Sequence, residues 1–389
     1  MTCPREDFVF VAPRYDQGTL ADVLPGALAA LGAPGVTDRL GLAARLDGVR
    51  RVAVLLVDGM GRHQLPAMAP VAPVIAATLR GELGLALSTT CGFPSTTPTS
   101  LVGLATGALP GAHGVLAFNT IVPGTDRVLN HTQWADDPPP REWVPVPPLY
   151  AAAAAAGIDT VVVNRPEYAG SGLTTATSAG ARYVPAVDVE ELATGMLTAL
   201  KEAPARALVY GYHPQLDKAG HAHGLTSAEW TEAAAEVDGL LARLVGGLPE
   251  DAALLVTADH GQLDVPADRR IDVHADPALA AGVRVVTGEP RVRYLHTAPG
   301  ATADVLAAWQ ARAGHAAWIG TRDEAIATGW YGPMGERHAA RLGDVVVVCR
   351  DDWAILATAT DAPSVARLVA MHGSLTEPEM RIPLLIYRP

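Results

Sequence analysis

Three apolar runs in this 389-residue chain are closed or followed by an aspartate. Asp58 ends "VAVLLVDG", Asp259 ends "ALLVTAD", and Asp217 follows "ALVYGYHPQL". Histidines stand close by in sequence, His260 directly after Asp259 and His221 four residues after Asp217. Carboxylate oxygen and neutral imidazole are hard to borderline donors that suit zinc. A mixed Asp/His set without cysteine is more typical of a catalytic zinc site than of a structural one. One more imidazole is wanted, and His372, in the Gly-flanked loop "MHGSLTEPEMRIP", is a good candidate.

A second kind of chemistry is suggested by "FPSTTPTS", residues 93 to 100, with five hydroxyl-bearing residues and two prolines in eight positions. Pro98 has no N–H and a φ suited to the first turn of a helix, and "TSLVGLATG" continues with helical spacing to Gly107. The spacing predicts Thr97 as the N-cap. By itself a Thr-Pro pair does no more than satisfy an orphan helix N–H. A hydroxyl at a helix N-terminus also sits in positive potential, beside N–H groups that can hold phosphate oxygens. With two divalent metals next to it, its alkoxide becomes accessible near neutral pH.

The elements that would position these residues read as strands alternating with helices. "RVAVLLVDG", "DTVVVN", "RALVYGY", "AALLVTADHG" and "GDVVVVC" predict buried strands. "VEELATGMLTALKEA" and "SAEWTEAAAEVDGLLARLVG" predict helices, the second opening on Ser227 with Trp230 where a capping box would place Glu or Gln. Strands alternating with helices predict an α/β fold with a mostly parallel central sheet covered by helices on both faces, and such sheets bind ligands at the carboxyl ends of their strands. The proline-rich "WADDPPPREWVPVPP" predicts an extended surface loop. Looser patterning after Gly261 predicts one catalytic domain over 1–389, with a small inserted α+β subdomain around 265–340.

The sequence resembles the nucleotide pyrophosphatase/phosphodiesterase branch of the alkaline phosphatase superfamily. The matching pieces are "LLVDGMG" around Asp58, "FPSTTPTSLVGLATGALPGAHGV" around Thr97, "LDKAGHAHG" with Asp217 and His221, "TADHG" with Asp259 and His260, and "HGSLTEPEM" with His372. They stand in the family's order and span residues 52 to 380. The resemblance implies two Zn²⁺ ions, one held by Asp217, His221 and His372, the other by Asp58, Asp259 and His260. It implies Thr97, not Thr96, as the nucleophile that bridges the metals and becomes phosphorylated. Where many members carry Asn three positions after the nucleophile to hold a phosphate oxygen, this chain has Ser100, a shorter donor. Two zinc ions against three aspartates and a Thr97 alkoxide leave such a site near neutral before a phosphate diester binds.

Composition narrows the rest. Apolar residues make up 49% and charged residues 18%, enough for a sizeable core. A formal charge of -12 argues against stable nucleic-acid or anionic-membrane partners. Cys3, Cys91 and Cys349 are far apart, with no CxxC spacing, which fits a reducing cytoplasm. No apolar run reaches membrane-spanning length, and the N-terminus lacks the unbroken apolar stretch of a signal peptide. The expectation is a cytoplasmic, metal-dependent hydrolase of small phosphate diesters or pyrophosphates, nucleotides among them. A phosphomonoesterase or phosphonate hydrolase with the same metal cage is the nearest alternative, and a non-catalytic metal-binding partner protein is the alternative from another class. His113 reads as a structural histidine, and Trp134, Trp143 and Phe118 as residues packed under a loop. Arg50-Arg51 and Arg269-Arg270 read as solvated faces.

Overall fold

The computed structural model describes residues 10–389, so Cys3 lies outside the described residues. Its centre is a seven-stranded sheet in the order Leu85–Thr90, Arg381–Tyr387, Ala252–Thr257, Arg51–Val57, Arg206–His213, Ile158–Asn164, Arg182–Pro185. All neighbours pair in parallel except Arg381–Tyr387, which runs antiparallel to both of its partners. From Val52 to Val57 every residue of the central strand is fully buried. This is what a continuous aliphatic run must do when helices cover both faces of a parallel sheet. Helices Val189–Glu202 and Ala228–Gly247 supply part of that cover. The second opens as a capped helix without a full capping box: the Ser227 hydroxyl accepts from the Trp230 N–H at 3.1 Å.

One expected strand belongs elsewhere. "GDVVVVC" is not in the central sheet; its strand Val345–Cys349 is an inner strand of a second, four-stranded antiparallel sheet with Val283–Glu289, Val292–Thr297 and Ala317–Thr321. A run buried on both faces has the same apolar signature in either kind of sheet, so periodicity could not separate the two. Helix Thr302–Ala313 covers one face, with Trp309 fully buried and its indole N–H donating to the Leu279 carbonyl at 2.9 Å. On the other face Val292, Tyr294, Val346 and Val348 join the main core.

The proline-rich connection is less exposed than expected. It contains a short helix, Pro140–Trp143, and buries Trp134, Trp143 and Val144 against Val102 and Val115. The basic pairs are also more engaged than solvated faces: Arg51 pairs with Asp251, and Arg270 donates to the carbonyls of Val265 and Leu368 at 2.7 Å each. Among the described residues no helix is long and apolar enough to cross a membrane.

Candidate active site

Strand register brings the aspartates together. Leu56 pairs with Thr257 in the adjacent central strands, and two residues further along each chain come Asp58 and Asp259. On the other side Val57 pairs with His213, and the Asp58 N–H donates to the His213 carbonyl at 3.0 Å. Helix Gln215–His223 then starts at once, placing Asp217 in its first turn and His221 one turn later. Their contact is the i,i+4 spacing made visible: His221 Nε2 lies 3.3 Å from Asp217 Oδ2. Gly59 makes the approach possible. It has φ 72°, and a Cβ there would lie 3.0 Å from Asp217 Cβ.

His372 arrives from the loop before the last central strand, and its ring stacks on His260 with centroids 3.6 Å apart. Asp217, His260 and His372 form one group of converging ligand atoms, and Asp58, Asp259 and His260 form another. Five of the six residues expected as ligands thus face one small volume. His260 takes part in both groups in this arrangement, while His221 reaches the first through Asp217.

The three histidines are oriented alike. His221 Nδ1 lies 2.8 Å from the Ala370 carbonyl, His260 Nδ1 3.2 Å from the Gly261 carbonyl, and His372 Nδ1 2.8 Å from the Ser95 carbonyl. A carbonyl can only accept, so each Nδ1 carries a proton and Nε2 is the ring atom left to face inward. That is the tautomer a metal requires. The carboxylates agree: Asp58 Oδ1 and Asp259 Oδ2 are buried oxygens without a hydrogen-bond partner among the described residues. Burial pushes the Asp58 carboxyl well up, helped by the charges of Asp217 and Asp259 and opposed by a hydrogen bond from Tyr212. Burial raises Asp217 as well, opposed by His221 and His260. Burial, and then His260 and His221, push His372 well down. Buried carboxylates that repel one another beside inward-facing imidazole nitrogens fit divalent cations: the donor set and the orphaned oxygens point the same way.

Thr97 lies at the mouth of this cluster, its Oγ1 3.1 Å from His260 Nε2. The cap is one residue earlier than expected. Thr96 is the N-cap, with extended backbone, and Thr97 is the first helical residue of Thr97–Thr106. Thr96 is fully buried, its Oγ1 without a hydrogen-bond partner among the described residues, whereas Thr97 is partly exposed. Of the two hydroxyls, that of Thr97 makes the contact with the ligand cluster. Ser100 is placed differently from its expected role on phosphate. It is buried, and its hydroxyl donates to the Asp259 carbonyl at 2.7 Å, tying helix Thr97–Thr106 to the strand end that carries Asp259.

The cluster opens into a cavity of about 950 Å³. Sequence reasoning missed several of its residues: Tyr212, whose hydroxyl donates to Asp58, the half-buried Tyr168 packed edge-on against it, and Lys218 beside Asp217. Tyr210 and Tyr212 alternate along "RALVYGYH" and so share a face, which was the available signal. Phe118 also lines the cavity, while Trp134 and Trp143 are packed away. His113 is structural: it is fully buried and its Nδ1 accepts from the Val115 N–H at 3.1 Å.

A central sheet with one antiparallel strand, acidic ligands at its carboxyl edge and a threonine at a helix N-terminus define a hydrolase of the alkaline phosphatase superfamily. The chain belongs to the type I phosphodiesterase/nucleotide pyrophosphatase family, whose pattern matches residues 52–375. Members of this family are metal-dependent. Murine ectonucleotide pyrophosphatase/phosphodiesterase 5 has the same fold, with a TM-score of 0.67 at 19% identity over 87% of this chain and 88% of its own. The human protein gives 0.65 at 18% over 87% and 88%. Phosphonoacetate hydrolase from Sinorhizobium meliloti 1021, solved with phosphonoformate, gives 0.67 at 19% over 88% and 91%. Comparison with curated proteins returned no significant match.

Proposed function

We propose that the protein hydrolyses small phosphate diesters or pyrophosphates, nucleotides among them, through a phospho-threonine formed on Thr97. The observation that carries this reading is the Thr97 hydroxyl 3.1 Å from His260 Nε2, at the edge of the converging side chains of Asp58, Asp217, Asp259, His260 and His372. A solved variant of the murine relative, described as an inactive threonine-to-alanine substitution, holds AMP, which supports a threonine nucleophile and a nucleotide-sized substrate.

Asp217, His221 and His372 would hold one divalent cation and Asp58, Asp259 and His260 the other, zinc being the ion their chemistry suits best. When bound, two such ions would favour the alkoxide form of the threonine and offset the charge of the phosphate. Thr97 Oγ1 forms the new bond to phosphorus, its proton passing to solvent, while the bond to the leaving oxygen breaks. Water then attacks phosphorus, the Thr97–phosphorus bond breaks, and Thr97 regains a proton. Ser100 acts by fixing the helix relative to Asp259, and Tyr212 by fixing Asp58. The helix N-terminus contributes positive potential at the phosphate.

The test is the initial rate of the zinc-loaded protein on bis(p-nitrophenyl) phosphate against p-nitrophenyl phosphate, with Thr97→Ala alongside. Faster diester turnover that disappears in the variant is expected. Preference for the monoester would make the protein a phosphatase, and Thr97-independent turnover would remove the proposed nucleophile.

A further inference from the structure

Each aspartate of the ligand cluster has one oxygen held by a protein donor and the other turned to an imidazole. Tyr212 donates to Asp58 Oδ2, and the backbone N–H groups of Gly59 and His260 donate to Asp259 Oδ1 at 3.1 Å each. Gln262, two residues after His260, donates from Nε2 to Asp217 Oδ1 and, at 3.2 Å, to the Asp217 carbonyl. The second oxygens stand beside histidine Nε2 atoms: Asp58 Oδ1 at 3.6 Å and Asp259 Oδ2 at 3.4 Å from His260, and Asp217 Oδ2 at 3.3 Å from His221.

The fold gives up stability to place Gln262. Both groups that its side chain donates to can only accept, which fixes the amide nitrogen toward Asp217. The amide oxygen, Oε1, is then buried without a hydrogen-bond partner among the described residues. Gly220 makes the room. It lies inside helix Gln215–His223, between Asp217 and His221, and a Cβ there would stand 2.1 Å from Gln262 Oε1. A glycine inside a helix and an unpaired buried oxygen both oppose folding, and both serve the contact with Asp217.

We propose that Gln262 and Tyr212 are positioning residues that commit Asp217 and Asp58 to binding a cation through one oxygen each, and so bias both metal sites toward zinc over divalent cations that fill six positions. The inference rests on the proposed metal-dependent function for the presence of the ions. Zinc is satisfied by three protein ligands and one open position, whereas manganese and magnesium take six ligands, mostly oxygen. Asp217 Oδ1 stands 3.9 Å from His372 Nε2, where it could serve a wider coordination shell as a second oxygen, and the Gln262 amide occupies it.

The test is equilibrium dialysis of the full chain against chelator-buffered zinc and manganese together, with the metal content per chain read by atomic emission. Gln262→Met keeps the length of the side chain and removes the donor. It is expected to take up manganese in place of zinc at free-ion ratios where the wild-type protein holds zinc, its preference for zinc falling about tenfold. Tyr212→Phe is expected to shift the preference in the same direction through Asp58. A packing defect weakens both ions alike, so equal weakening of zinc and manganese in the two variants overturns the inference. Wild-type protein that binds neither ion would overturn the metal-dependent reading and this inference with it; zinc bound normally, with a preference that neither substitution changes, would overturn this inference alone.

Discussion

Thr96 and Thr97 are adjacent and chemically identical, and the helix start separates their roles. The Thr96 side chain points into the protein, where its hydroxyl has no partner, and Thr97 faces the ligand cluster. Thr97→Ala is expected to lower diester turnover at least about a thousandfold, and Thr96→Ala by less than about tenfold, measured as initial rates at saturating zinc. Comparable losses in the two would show that the pair acts through packing. A different residue carries a pH dependence. Burial pushes the Glu289 carboxyl up to about 8, against the Phe118 N–H and Arg293, with Glu379 adding to the rise. Between its ordinary value of 4.5 and about 8, folding takes up a proton, so Glu289 makes the protein less stable as pH rises through that window. Glu289→Gln should flatten the fall in Tm between pH 5 and pH 8.5, by an amount worth at most a few kcal/mol, roughly. An unchanged slope would mean that Glu289 titrates in the ordinary carboxylate range. Nothing in "TGEPRVR" signals this, because the shift comes from the burial that tertiary packing imposes.

At the scale of elements, the second sheet is tied to the loop that carries His372 by a buried ion pair. Arg291 donates to Glu379 at 3.0 and 2.7 Å, and Glu379 also accepts from the Ser374 N–H and the Thr376 hydroxyl, just past His372. Both side chains are fully buried. Arg291→Met should cost about 3–5 kcal/mol in urea unfolding, since it strands a buried carboxylate. Adding Glu379→Leu should restore only part, because the Ser374 N–H then loses its acceptor. Full restoration would show that the loop is held by other contacts. Gly59 tests the other side of the site: Gly59→Ala is expected to weaken zinc binding about tenfold or more, read by competition with a chromogenic chelator, through displacement of Asp217. The sequence pattern anticipated the central strands, the two long helices and the clustering of Asp58, Asp217 and Asp259, because strand ends in a parallel sheet share one edge. It missed both edge strands, Leu85–Thr90 and Arg182–Pro185, and the antiparallel Arg381–Tyr387, and it assigned Val345–Cys349 to the wrong sheet. Pairing partners depend on long-range contacts that a local period does not encode. The single-residue shift of the cap from Thr97 to Thr96 has the same origin: propensity places a helix end to within a residue or so, and tertiary contacts choose which hydroxyl turns outward.

For the whole molecule the consequence of this architecture is competition between protons and metal. A core that brings Asp58, Asp217 and Asp259 together without cations is stabilised by protonation, because burial and mutual repulsion raise Asp58 and burial raises Asp217. Raised carboxyl values mean that the folded chain binds more protons than the unfolded one above the ordinary carboxylate range. The stability of metal-free protein therefore falls as pH rises through and beyond that range. Divalent cations remove the penalty by replacing those protons and by binding only the folded arrangement of ligands. The gap in Tm between zinc-loaded and chelator-treated protein should accordingly widen from pH 5 to pH 8, and atomic emission should return two zinc ions per chain after loading. His221 belongs to this balance through its contact with Asp217, so His221→Ala should lower the stoichiometry towards one and narrow the gap. A Tm difference independent of pH would mean that the carboxylates are ionised with or without metal, and that the burial seen at Asp58 and Asp259 is balanced by charges other than bound cations.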